Sequence, residues 1–215
     1  MKNLLLLVCF VIGLGACQSS FDKVSEETSV AIQPFDGFER PYSDTVKAAL
    51  ENLYGIQVTV LDEIEIPQYA FVNIKSPRYR ADTLIRYLRA NEAYDKFDHV
   101  IGLIKEDIST TKYVDYKTKE IKQPENKYRD WGIFGLGFCP GKSCIVSSYR
   151  LHKSTSKENF IERLKKVSCH EMGHNFGLPH CPNKNCIMQD AAETIKTIDN
   201  VKLHLCEACR KKIGI

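Results

Sequence analysis

Residues 170–188 read HEMGHNFGLPHCPNKNCIM and bring three histidines, a glutamate and two cysteines together. On a helix, His170 and His174 stand four residues apart on one face, so both imidazoles reach a common metal ion. Glu171 is rotated about 100° from His170, which sets it beside such an ion as a base rather than a ligand. Gly177 can end the helix with positive φ, and Pro179 stops the helix from resuming. That turn lets His180 supply a third nitrogen from another direction. Three protein ligands leave one tetrahedral position for water, the pattern of a catalytic zinc site. The plain alternative is a histidine cluster on a helix surface.

Cys181, Cys186, Cys206 and Cys209 form a C-x4-C pair, a long gap and a C-x2-C pair. Short-spaced thiolates on separate segments suit a closed tetrahedral shell, which serves structure rather than catalysis. Two disulfides are the alternative, favoured by an oxidising location. A shell built from these residues fastens the C-terminal segment, with a helix expected near residues 191–196, to the loop that carries His180.

The elements that must hold these residues follow from periodicity. Residues 30–35 are expected as a strand, 41–55 as a helix ended by Gly55, 56–61 as a strand, 81–91 as an amphipathic helix and 99–104 as a strand buried on both faces. Residues 113–130 are charged and irregular, a surface excursion. The stretch WGIFGLGF-CPGKS-CIVSSYRL predicts two strands around a Pro-Gly turn. Thr155 with Glu158 forms a capping box for a helix running to about Phe176. This order implies a three-layer α/β sandwich with a mixed sheet. Gly132–Phe138 is the candidate edge strand for pairing with an extended peptide, or its glycines serve only close packing. Cys139 and Cys144 bracket the turn and can meet the geometry of a disulfide outside the cytoplasm. Cys169 is expected as a buried apolar residue, and His99, His152 and His204 receive no role.

The chain has 215 residues, 43% hydrophobic and 27% charged, with a net charge of +3. That describes one globular domain and offers no electrostatic case for nucleic acid. Met1–Ala16 has a lysine and an apolar run too short to span a bilayer, the form of a signal peptide. It ends in Leu14-Gly15-Ala16-Cys17, which resembles a bacterial lipobox and makes Cys17 the expected lipidated N-terminus; ordinary secretion with cleavage nearby is the alternative. Residues 17–29 are polar and are expected as a tether, with the domain from 30 to 215 and its zinc-bound C-terminal part from about 181. The expectation is a monomer anchored to a bacterial cell envelope through lipid.

The stretch HEMGHNFGLPHC, with Cys186, Met188, Cys206 and Cys209 at their spacings, resembles the archaemetzincin family of zinc metallopeptidases over about forty residues. The resemblance implies a metzincin-like sandwich with a mostly parallel twisted sheet, an active-site helix and two Zn2+ ions per chain. It implies His170, His174 and His180 as catalytic zinc ligands, Glu171 as general base, Met188 as the residue beneath the metal and the four cysteines as the second zinc's ligands. The substrate implied is a peptide or protein. A zinc-stabilised binding or scaffold protein with little turnover is the alternative.

Overall fold

Val30, Ile32 and Leu103 turn to one face of a sheet while Ala31, Val100 and Ile104 turn to the other, and each set belongs to its own hydrophobic core. The computed structural model describes residues 23–190 and 194–215. Along the chain run β1 (Ser29–Pro34), α1 (Arg40–Tyr54), β2 (Gln57–Val60), β3 (Phe71–Asn73), β4 (Pro77–Arg80), α2 (Ala81–Ala90), β5 (His99–Ile104) and β6 (Ile108–Thr110). They are followed by β7 (Tyr113–Asp115), β8 (Glu120–Ile121), α3 (Glu125–Tyr128), β9 (Trp131–Ile133), β10 (Gly135–Gly137), β11 (Ser143–Ser147), α4 (Lys157–Asn175), α5 (Ile195–Asn200) and α6 (Glu207–Ile213).

The main sheet has the order β10-β11-β5-β1-β2, parallel throughout except for β10. Every residue of β5 is buried, as a central strand covered on both faces must be. The core on one face joins α1 and α4 to the sheet, and the other core joins α2. The three-layer α/β arrangement is therefore the observed one. Gly55 ends α1 in the left-handed region with φ +68 and returns its N–H to Glu51. No helix among the described residues is long and apolar enough to cross a membrane.

Several expectations change. The stretch 131–138 is not one strand: β9 pairs with β6 in a second sheet, β3-β4-β6-β9, while β10 joins the main sheet. This second sheet escapes periodicity because its strands are only three or four residues long. The 113–130 excursion contains the β7–β8 hairpin and α3 rather than irregular chain. Ser156, not Thr155, caps α4, accepting from the Asn159 N–H at 3.3 Å, while the Thr155 hydroxyl is buried. The helix expected at 191–196 is α5, which begins at Ile195; residues 191–193 lie outside the described part.

At the N-terminus, Val24 is buried and donates its N–H to Ile213 O at 2.9 Å, so the ordered fold starts inside the expected tether. The signal segment and Cys17 lie outside the described residues. Cys139 and Cys144 are free thiols, against the disulfide expectation. Across the hairpin Cys144 faces Gly137, not Cys139, and turns into the core, while Cys139 is exposed.

Candidate metal centre and active site

Helix α4 carries His170 and His174 at its C-terminal end, and the chain then reverses at Gly177, whose φ is +87. His180 comes back over the helix end. One ring nitrogen from each of the three histidines lies within 4.8 Å of the others. Backbone carbonyls set the ring orientations: His170 Nδ1 donates to Ile187 O at 2.7 Å, and His174 Nδ1 to Leu178 O at 2.8 Å. A carbonyl only accepts, so each Nδ1 holds the proton and each Nε2 presents its lone pair. Asp190 Oδ2 stands 3.6 Å from His180 Nδ1. Burial, with His174 next, pulls His170 down to about 3, and burial pulls His174 down to about 4. Both rings are neutral at neutral pH, the state a metal ligand needs.

Glu171 is buried between α4 and β10. A Cβ on Gly135 would lie 2.7 Å from Glu171 Cγ, and one on Gly137 would lie 2.6 Å from Glu171 O. Both glycines of the edge strand are thus required by its approach to α4. Burial pushes the carboxyl up to about 8 against the lowering effect of the Gly137 N–H. A carboxyl poised there can take up and return a proton near neutral pH.

Met188 packs beneath the helix. A Cβ on Gly173 would lie 2.4 Å from Met188 Sδ and 3.0 Å from Tyr54 Oη, and Tyr54 Oη donates to Cys169 O at 2.7 Å. Sequence reasoning assigned no part to Gly173 or Tyr54; the HExGH spacing gives Gly173's position but not the sulfur below it. Asn175 was also missed. Its Nδ2 donates to Phe138 O and Ser143 O, both at 3.1 Å, and so holds the β10–β11 turn against the end of α4. His99 accompanies that turn with Nδ1 3.0 Å from Gly141 O, and His152 stacks on Phe160 at 3.6 Å between centroids.

The four cysteines also converge. Cys181 and Cys206 Sγ are 3.7 Å apart, as are Cys186 and Cys209 Sγ, and all four sulfurs lie within 4.8 Å of one another. A disulfide needs about 2.05 Å. A tetrahedron with metal–sulfur bonds of about 2.3 Å has edges of about 3.8 Å, close to the two 3.7 Å separations. Cys169 is buried in the core, as expected.

A cleft of about 370 Å³ contains all three histidines and Glu171. The β10 edge forms one wall, and Tyr116 reaches in from the β7–β8 hairpin. Residues 27–214 match the family described as Peptidase family M54. The chain belongs to peptidase family M54. M54 members are zinc metallopeptidases, and their substrates are peptides or proteins. The chain is 30% identical over 190 residues to the archaemetzincin of Haloquadratum walsbyi, covering 85% of this chain and 97% of that one. It is 30% identical over 145 residues to the archaemetzincin of Methanopyrus kandleri, covering 67% and 70%. The crystal structure of the Methanopyrus kandleri protein is similar with a TM-score of 0.69 at 25% identity, covering 88% of this chain and 94% of that chain. The M54 match spans both the histidine and the cysteine clusters.

Proposed function

We propose that this M54 chain hydrolyses peptide bonds at a zinc held by His170, His174 and His180, with Glu171 as general base. One observation carries the reading: two Nδ1 atoms are tied to backbone carbonyls while the three rings converge, beside a buried carboxyl. Zinc bound there would supply Lewis acidity, lowering the pKa of water and polarising a carbonyl. The protein's own groups do the rest. Glu171 takes a proton from the attacking water and returns it to the departing amine.

An extended substrate pairs with β10, the edge strand of the main sheet that lines the cleft. Ser147 N–H donates to Phe134 O, so antiparallel alternation turns the amides of Gly135 and Gly137 away from β11; Gly137 N–H meets the Glu171 carboxyl, which leaves the Gly135 amide to the substrate. The cysteine quartet holds a second, structural zinc, a reading supported by its 3.7 Å sulfur separations. The lipobox-like leader supports anchoring through Cys17 to a bacterial envelope.

The test is a mixed-peptide digest with zinc-loaded protein, wild type beside Glu171→Gln, read by mass spectrometry. The substitution is expected to lower kcat by about 10²–10⁴ while zinc content holds at two per chain. Equal cleavage by both proteins would remove Glu171 from the chemistry.

A further inference from the structure

The three rings of the histidine site are not held alike. His170 and His174 each give an Nδ1 proton to a backbone carbonyl, of Ile187 and of Leu178. His180 lies beyond α4 and is the exposed member of the set. At its corresponding atom it meets a carboxylate instead, with Asp190 Oδ2 3.6 Å from His180 Nδ1. The loop between them explains the meeting. Cys181 N–H donates to Met188 O at 2.8 Å and Gln189 N–H to Cys186 O at 2.9 Å. Those bonds close residues 181–188 into a loop with His180 and Asp190 at its two ends.

Asp190 stands beside the ligands rather than among them. The atoms that lie within 4.8 Å of one another belong to the three imidazoles and include no Asp190 oxygen. Its charge still reaches the whole site: burial governs the electrostatics of His170 and His174, and at both rings the Asp190 carboxylate opposes it. At 3.6 Å the contact with His180 is longer than a hydrogen bond and acts through charge. A carboxylate only accepts, so it favours the tautomer with the proton on Nδ1 and the lone pair on Nε2.

We propose that Asp190 is the positioning residue of the third ligand: its carboxylate keeps the His180 proton on Nδ1, turns Nε2 toward the metal and strengthens the ring as a donor. The inference rests on the histidine zinc site proposed above. An exposed ring has rotational freedom that the two carbonyl-tied rings lack. A neighbouring anion limits that freedom and raises the basicity of the ligand nitrogen. The most exposed of the three ligands is thus the one given a charged partner.

The experiment compares wild type, Asp190→Ala and Asp190→Glu, each loaded with zinc. Affinity at the histidines is read by competition with a chromophoric chelator, and the cysteine site is followed by thiol alkylation and mass spectrometry. Loss of a carboxylate partner predicts that Asp190→Ala binds zinc at the histidines about 10- to 100-fold more weakly. Asp190→Glu is expected to recover most of that loss, with thiol protection and the denaturant midpoint unchanged in both variants. Proton–nitrogen NMR correlations of the zinc-loaded wild type should show His180 protonated at Nδ1 and ligated through Nε2. Ligation through Nδ1 would overturn the proposal, because the carboxylate would then face the wrong nitrogen. Equal weakening in both variants together with lost thiol protection would also overturn it, assigning Asp190 to the shape of the loop. Unchanged affinity in Asp190→Ala would overturn this inference alone and leave the histidine zinc site standing. A wild type that takes up no zinc at the histidines would overturn both.

Discussion

Glycine is the residue on which the catalytic geometry is most exposed to change. Gly135→Ala would put a methyl group 2.7 Å from Glu171 Cγ, so either β10 or the carboxyl must move. The expected result is a fall in kcat with zinc content unchanged, measured on the same peptides as the wild type. A wild-type rate would mean that the edge strand gives way freely. Gly173→Ala meets Met188 Sδ at 2.4 Å inside a core where that sulfur is fully buried. Overpacking of this kind costs about 1–3 kcal/mol, to be read as a lower denaturant midpoint with an unchanged slope. Neither glycine has positive φ. What demands them is space, and space is set by the side chain opposite.

At the scale of elements, the loop between His180 and Met188 serves both clusters. Cys181 donates its N–H to Met188 O at 2.8 Å. Ile187 accepts from His170 Nδ1 at 2.7 Å and donates its own N–H to His204 O at 2.7 Å. The chain leading to Cys206 is thereby linked through one residue to a ring of the histidine site. Cys181→Ser, which breaks the sulfur quartet, is therefore expected to lower metal at the histidines as well as at the cysteines. Metal analysis of the purified variant checks this: one zinc retained per chain, with activity intact, would show that the loop holds its shape without the second site.

At the scale of the whole molecule, the C-terminal segment is clamped to α4 by Arg163. Its guanidinium donates to Asp199 at 2.6 and 2.8 Å and to the carbonyls of Leu151 and Lys153 at 3.0 and 3.1 Å. The hydrogen bond from Arg163 holds the Asp199 carboxyl below its ordinary value. A lowered carboxyl stabilises the fold above its unfolded pKa of about 3.9, and that contribution is lost as pH falls through the lower folded value. The Tm gap between wild type and Asp199→Asn should therefore be widest above pH 5 and close toward pH 2. A gap that stays constant with pH would show that the ion pair contributes nothing measurable.

The convergence of the three histidines was legible in the residues alone because it is mostly local. An i, i+4 histidine pair, a glycine to reverse the chain and a third histidine specify one another within eleven residues. The same holds for α1 and α2, whose buried faces repeat at helical spacing, and for β1 and β5, whose continuous apolar runs mark central strands. Tertiary structure decided what depends on groups far apart in the chain. The reach of Glu171 to Gly135 and Gly137, and of Met188 to Gly173, came from packing between segments. The carbonyl of Ile187 that orients His170 lies seventeen residues away. The free state of Cys139 and Cys144 followed from hairpin register, which shifts side chains between faces with each residue. The second sheet, with strands of three or four residues, carries too little alternation to be read locally and exists only through its long-range pairings.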